Sequence, residues 1–175
     1  MDCQSREHLF DRGRALYEYG SVAPAIYRFK YSGRREYAEC FGEQSADLLG
    51  DFLRRIHPDA LIPIPLHKNR LKKRGYNQAE LLARAISRKT GIPVCTDLLL
   101  RAKDTVPMKK LSYRERQNNL KKAFIISQND VELDIAVLID DIYTTGTTID
   151  EATRVLKAAG VRKVYYLALA CGAGI

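Results

Sequence analysis

The chain has 175 residues, of which 46% are hydrophobic, and 29 lysine and arginine residues against 21 acidic ones give a formal net charge of +8. This length and composition are typical of one globular domain, residues 1–175, and exclude a collagenous or disordered protein. Because no apolar run approaches the roughly 20 residues of a membrane span and the charged N-terminus lacks a signal-peptide core, we predict a cytoplasmic protein.

The first third of the chain is predicted to contain one strand and two helices. Residues 16–19 form an aromatic-rich strand and 22–31 a helix, inside an N-terminal segment, 1–40, that holds five of the ten tyrosines. The second helix is predicted from side chains at helical spacing, namely Phe41, Ser45, Leu48, Leu49 and Phe52.

The middle of the chain combines a short strand, a helix and much of the positive charge. Two prolines in 61–66 indicate an edge strand or a strand that ends in a loop, and 78–90 is predicted to be a helix that ends at Gly91. Residues 66–122 hold 16 lysines and arginines and four acids, a net charge of +12, whereas the rest of the chain has a net charge of −4.

Most of this charge lies in two clusters, 67–78 and 108–122. We predict that they are basic loops, and two such loops form a strong anion site if they converge. Composition alone fits nucleic acid and a phosphorylated small molecule equally well.

The last third predicts a strand–helix–strand unit. The apolar run 135–139 is typical of a central parallel strand covered on both faces, the helix over 149–159 ends at Gly160, and 164–170 forms the next strand. A further short strand is predicted at 124–126. A right-handed crossover makes the sheet parallel, and ligands then bind at the carboxyl ends of its strands.

The four cysteines are scattered along the chain, with no C-x-x-C pair and no histidine at ligand spacing. They therefore form no complete zinc site, and we predict four reduced thiols, three of them packed in the core. These residues are Cys3, Cys40, Cys95 and Cys171.

The strongest chemical signal is DDIYTTGTT, residues 140–148, between a buried strand and a helix. Unpaired N–H groups at the helix N-terminus favour a phosphate, which Gly146 lets the backbone approach closely. Asp140 and Asp141 are typical acceptors for the hydroxyls of a phosphorylated sugar, or ligands of a divalent metal; the plainer alternative is a threonine-rich helix cap with two solvated acids. The hydroxyls available to the phosphate are those of Thr144, Thr145, Thr147 and Thr148.

The segment VLIDDIYTTGTTI resembles the phosphoribosyl pyrophosphate (PRPP) fingerprint of type I phosphoribosyltransferases. Beyond it, LYEYGSVAPAIYRFKYSG, IPIPLHKNRLKKRGYNQAELLARAI and LLLRAKDTVPMKKLSYRERQNNLKKAF are similar to the ComF family, amidophosphoribosyltransferase-like proteins associated with bacterial competence. The resemblance covers about residues 16–170. It implies an α/β fold of the type I phosphoribosyltransferase class, a parallel Rossmann-like sheet flanked by helices, with 1–40 as a small hood beside the core 41–175.

The resemblance also assigns roles to individual residues. It implies that Asp140 and Asp141 hold the ribose hydroxyls, and Mg²⁺ mostly through the substrate, and that 144–148 cradles the 5′-phosphate. Around 104–122 it implies a mobile loop that closes over the substrate. The basic residues implied beside the pyrophosphate are Arg70, Lys73 and Arg74, and those implied in the mobile loop are Lys109, Arg114 and Arg116. As catalytic residues we select Asp140, Asp141, Arg74 and Arg114.

Two departures from the family pattern matter. ComF proteins commonly begin with a cysteine-rich segment resembling a zinc knuckle, of which only Cys3 remains, so we expect a naturally short form or a start assigned inside a longer gene. Purine-type enzymes often carry an acid where this loop has Thr144, which argues against purine salvage.

Three functions follow as hypotheses. The first is a Mg²⁺-dependent phosphoribosyltransferase, whose acceptor the sequence does not identify. The second is a protein that binds PRPP or a nucleotide and works with DNA-processing partners in DNA uptake. The third is a single-stranded nucleic-acid binder that uses the basic window and tyrosines such as Tyr76 and Tyr113. A second copy of the chain is a further partner to consider.

Overall fold

A computed structural model describes residues 7–102, 123–127 and 131–172. Its main sheet has four parallel strands in the order β1-β6-β5-β2, and β3 and β4 form a separate antiparallel pair. The elements are, in chain order, β1 (Arg12–Glu18), α1 (Tyr19–Tyr31), α2 (Tyr37–Ile56), β2 (Ala60–Pro63), α3 (Lys68–Arg74), α4 (Gln78–Thr90), β3 (Leu99–Arg101), β4 (Phe124–Ile126), β5 (Ile135–Tyr143), α5 (Thr147–Ala158) and β6 (Lys163–Cys171).

Alternate residues of the central strands supply two hydrophobic cores, one on each face of the main sheet. Leu138 of β5 packs in one core with Phe124 of β4, while Val137 and Ile139 pack in the other with Phe29 of α1. All four side chains are at most 2% exposed. Coverage on both faces explains the uninterrupted apolar run of β5, and it confirms the predicted α/β class with a parallel Rossmann-like sheet flanked by helices.

Three elements differ from the prediction. Residues 68–74, expected in a loop, form helix α3, because His67 caps its start and Gly75 ends it with φ 78°. Strand β5 continues four residues beyond the apolar run, since Asp140 and Ile142 pair in register with residues of β6. Strand β3 was not predicted from sequence; it pairs with β4, which was.

The N-terminal segment joins the main sheet directly. Strand β1 begins at Arg12, earlier than predicted, and pairs in parallel with β6. The division into a hood, 1–40, and a core, 41–175, stays a prediction. Helix α1 follows β1 at the carboxyl edge of the sheet, the edge at which β2 and β5 also end.

The prediction of three core cysteines is wrong for the described residues. Cys40 is exposed, and Cys95 and Cys171 are only partly buried, all three as free thiols; Cys3 lies outside the described part of the chain. In that part, no helix is long and apolar enough to cross a membrane.

Candidate functional site

The acid pair at the end of β5 is the centre of the candidate site. The ammonium of Lys30, from α1, lies 2.9 Å from Oδ1 of Asp141, and these side chains are only 15% and 17% exposed. Oδ1 of Asp140 accepts a hydrogen bond from the backbone N–H of Asp141 at 2.8 Å. The site thus joins neighbouring carboxylates of one strand to a cation from a helix more than a hundred residues earlier in the chain.

Asp140 is the strained member of the pair. Burial raises its pKa to about 7, and the charge of Asp141 acts in the same direction. Lys30, the backbone N–H of Asp141 and Arg101 oppose this rise because they favour the charged form. Asp140 therefore lies among charges of both signs, a pattern that clusters at functional sites.

The loop after β5 is short, and it leads into a capped helix. Gly146 is the N-cap of α5 with φ 72°, a backbone conformation that glycine adopts without strain. The first helical hydrogen bond is donated by the N–H of Asp150 to Gly146 O at 2.8 Å. The N–H groups of residues 147–149 precede this bond and have no acceptor within the helix, so they can bind an anion.

The four threonines of the motif differ in exposure. Thr144 is exposed, Thr145 and Thr148 are half-buried, and Thr147 is buried. The hydroxyls of Thr145 and Thr147 lie 3.0 Å apart. The structure therefore brings hydroxyls and free N–H groups together at the start of α5, in the segment where the sequence predicts the phosphate cradle.

Behind this loop lies His8, which the sequence analysis did not identify. Its Nδ1 is 2.8 Å from Oδ2 of Asp150, and its side chain is 6% exposed. A Cβ on Gly146 would come within 2.7 Å of the His8 ring and 2.8 Å of the Tyr143 hydroxyl. The loop is thus packed from behind by the N-terminal segment, and a glycine is required here for space as well as for φ.

Helix α3 brings the predicted pyrophosphate residues to the same edge of the sheet. It follows β2, whose extension pairs with β5 through the N–H of Ile64 and the carbonyl of Ile139 at 2.9 Å. Arg74 is half-buried and donates to Oε1 of Gln78 at 2.8 Å. Arg70 is half-buried and Lys73 is exposed. These cations lie in one short helix beside the end of β5, not in a loop.

The predicted mobile-loop residues Lys109, Arg114 and Arg116 lie outside the described residues, as does Tyr113. The strands on either side of this segment are β3 and β4. Arg101, the last residue of β3, lies 5.4 Å from the centre of the Phe124 ring and acts on the charge of Asp140. It is a second cation of the site that sequence reasoning missed.

The acid pair fits Mg²⁺ only as a partner of a ligand. Within residues 7–102, 123–127 and 131–172, no group of three histidine, cysteine or acidic side chains could hold a metal ion. Asp140 and Asp141 offer hard carboxylate oxygens, and Mg²⁺ is commonly bound by one or two carboxylates plus phosphates and water. Substrate oxygens would therefore have to complete the coordination.

Tyrosines near the site divide into buried and exposed ones. Tyr76 is 7% exposed and its hydroxyl donates to the carbonyl of Phe29, so its ring is not a stacking surface and that part of the prediction is wrong. Tyr27 and Tyr31 are 59% and 56% exposed. Their rings lie 5.1 Å apart, and the guanidinium of Arg74 lies 5.1 Å from the Tyr31 ring.

Fold and site together define an α/β protein with an acid pair and an open helix N-terminus at the carboxyl edge of a parallel sheet. No family model matches the chain. It is 39% identical over 115 residues to "Competence protein F" of Haemophilus influenzae, covering 65% of this chain and 50% of that protein. It is 33% identical over 157 residues to "Competence protein ComFC" of Bacillus subtilis, covering 87% and 60%.

A third relative is "DNA utilization protein YhgH" of Escherichia coli, at 33% identity over 149 residues, covering 82% of this chain and 64% of the relative. The chain belongs to the ComF family, which includes proteins named for competence and DNA utilization. Its aligned part spans between half and about two thirds of the length of these three relatives.

Proposed function

We propose that the protein binds PRPP, or a closely related phosphorylated sugar, at the carboxyl end of β5 and transfers its phosphoribosyl group to an acceptor. The observation that carries this proposal is the placement of two acids and an open helix N-terminus a few residues apart. Acids accept hydrogen bonds from sugar hydroxyls, and helix N-termini bind phosphate. A sugar phosphate is a ligand that carries both groups.

Each part of the site would then meet one part of the ligand. Asp140 and Asp141 would accept hydrogen bonds from the ribose hydroxyls, and the N–H groups and hydroxyls of 144–148 would hold the 5′-phosphate. Arg70, Lys73 and Arg74 would neutralise the pyrophosphate. Because the acids precede the phosphate loop directly in the chain, they would grip the sugar beside its own phosphate.

In the transfer, the bond from ribose C1 to the pyrophosphate oxygen breaks, pyrophosphate leaves with the electron pair, and C1 bonds to the acceptor nucleophile, which loses a proton. Mg²⁺ bound through the substrate would stabilise charge on the leaving group. The protein's part is to hold the ribose and the pyrophosphate in position and to stabilise developing charge with its cations.

Calorimetric titration of PRPP with Mg²⁺ tests the proposal. Wild-type protein is expected to bind, and the double variant Asp140→Asn with Asp141→Asn is expected to lose binding while its circular dichroism stays native. Asp47→Asn with Asp51→Asn, two exposed acids of α2, is the charge-matched control and should bind like wild type. Unchanged affinity in the site variant would remove the acids from the site. Pyrophosphate release across a panel of bases and amines tests transfer.

A second candidate is a role as a PRPP- or nucleotide-binding partner that handles single-stranded DNA. The observation that favours it is the exposed stack of Tyr27 and Tyr31 with Arg74 beside it. Exposed aromatic rings next to arginines are typical platforms for the bases of a single strand. The printed names of the relatives, which refer to competence and DNA utilization, are compatible with this role.

Fluorescence anisotropy with a labelled oligonucleotide distinguishes this candidate. The double variant Tyr27→Ala with Tyr31→Ala should weaken binding about tenfold, since each stacked base contributes on the order of 1 kcal/mol or more. Leu48→Ala, which removes an apolar side chain 68% exposed on α2, is the control. Equal binding by all three proteins would exclude the tyrosine pair as a platform, and binding that only responds to salt would indicate phosphate contacts alone.

A further inference from the structure

Lys30 occupies an unusual place for a lysine. It lies in the last turn of α1, where a lysine would ordinarily extend into water and interact weakly with the helix dipole. Here its side chain is only 15% exposed, and its ammonium lies 2.9 Å from Oδ1 of Asp141. Withdrawing a strongly hydrated ammonium from water is costly unless it is paired, so this contact is a specific one.

The fold does not need this contact to hold α1. The helix is anchored by the buried side chains of Ile26 and Phe29, which are 1% and 0% exposed. The carbonyl of Phe29 also accepts hydrogen bonds from the Tyr76 hydroxyl and from Nε2 of Gln78, the latter at 3.4 Å. Since packing already fixes the helix, the ion pair does something other than dock it.

The ion pair controls one of two adjacent carboxylates. The ammonium engages Oδ1 of Asp141, which fixes the carboxylate plane and leaves its second oxygen for another partner. Asp140 meets charge from Asp141, Lys30 and Arg101. A lysine in this position therefore sets both the orientation and the charge balance of the pair.

We propose that Lys30 is a positioning residue of the sugar-binding site: its ammonium holds Asp141 with one carboxylate oxygen directed to a ligand hydroxyl. This inference rests on the proposed function. It identifies a contribution from the N-terminal segment to the donor half of the site, and the residue acts on the ligand through Asp141.

Two ligands separate positioning from a general effect. PRPP carries the hydroxyls that Asp141 would bind, whereas inorganic pyrophosphate has none and needs only the cations and N–H groups. Lys30→Met, which keeps the aliphatic stem, should weaken PRPP binding about tenfold, the scale of a lost charge-assisted hydrogen bond. Pyrophosphate binding should change less than about threefold. Both are measured by calorimetry with Mg²⁺.

Three further variants complete the experiment. Lys30→Arg keeps the charge and should recover part of the PRPP affinity. Lys89→Met removes an exposed lysine of α4, 4.0 Å from Glu43, and should bind both ligands like wild type. Lys30→Gln keeps a hydrogen-bond donor without the charge, and it replaces the methionine variant as the deciding measurement if that variant does not fold.

The outcomes are distinct. Wild-type PRPP affinity in folded Lys30→Met protein, or an equal loss for PRPP and pyrophosphate, would overturn the role of Lys30 and leave the proposed function standing. Absence of PRPP binding by the wild type itself would overturn both. A selective loss for PRPP with partial recovery in Lys30→Arg supports the inference.

Discussion

At the amino edge of the main sheet, acids complete the fold. Oδ2 of Asp59 accepts hydrogen bonds from the N–H groups of Asp134 and Ile135, both at 2.8 Å. Asp134 pairs with Arg162 through two hydrogen bonds of 2.7 and 2.5 Å, and Asp11 accepts from Val164 N at 3.0 Å. At the carboxyl edge, Asp140 and Asp141 instead lie side by side.

The electrostatics of the two edges are opposite in sign. Hydrogen bonds from Arg162 hold the pKa of Asp134 below its ordinary value, whereas burial raises that of Asp140 to about 7. Both residues belong to the same chain segment, one just before β5 and one in its last turns of pairing. The amino edge satisfies its acids within the fold, while the carboxyl edge keeps a pair whose mutual repulsion destabilises the free protein, as binding sites commonly do.

The largest effect is expected at the glycine of the carboxyl edge. Gly146→Ala should lower the free energy of unfolding by about 3 kcal/mol, because an alanine there has an unfavourable φ and its Cβ meets His8 and Tyr143. Gly91→Ala is the control: its φ of 74° matches, and nothing lies within 4 Å of an added Cβ. It should cost about 1 kcal/mol. Equal losses in urea denaturation would show that the packing behind the loop adds nothing.

Asp140→Asn should stabilise the protein at alkaline pH. The pKa of this acid rises on folding from 3.8 to about 7, so wild-type stability is greatest below pH 3.8 and falls until the pH passes about 7. Asparagine has no charge to bury, and its carbonyl can still accept from Asp141 N. The variant should gain on the order of 2 kcal/mol at pH 8, and the gain should vanish near pH 3. A variant less stable than wild type at pH 8 would contradict this.

Asp134→Asn should have the opposite and smallest effect. Its lowered pKa means that the ionised acid contributes stability above the ordinary value of 3.8, and this contribution is lost as pH falls through the lower pKa of the folded state. The melting temperature of the variant should therefore lie slightly below that of wild type at pH 7 and equal it in strong acid. The effect is small because the ion pair with Arg162 is exposed. A higher melting temperature at pH 7 would count against the comparison.

Much of the candidate site was predictable because its signal is local. The acids, the threonines and Gly146 are consecutive in sequence, and the apolar run before them identifies a buried strand. The elements 78–90 and 149–159 were predicted to within a residue or two because their periodicity and glycine stops are also local. The basic segment 67–78 was expected to be a loop, since charge density does not reveal that His67 and Gly75 cap a helix.

The missed residues share one property, which is distance along the chain. Lys30, Arg101 and His8 come from α1, β3 and the N-terminal segment, and each reaches β5 or the start of α5 only in the folded protein. No spacing rule links Lys30 to Asp141. The exposed pair of Tyr27 and Tyr31 was missed for a related reason, because sequence alone does not separate a buried tyrosine such as Tyr76 from an exposed one.

The sequence by itself determined the class of fold, the acid pair and the loop that follows it, because apolar period, glycine position and neighbouring functional groups are properties of contiguous residues. Only the tertiary structure decided which cations surround that pair, since contacts between distant segments depend on strand order and helix packing. The surplus of positive charge is read from composition as +8. Its placement makes one lysine from outside the basic window, Lys30, the partner of Asp141.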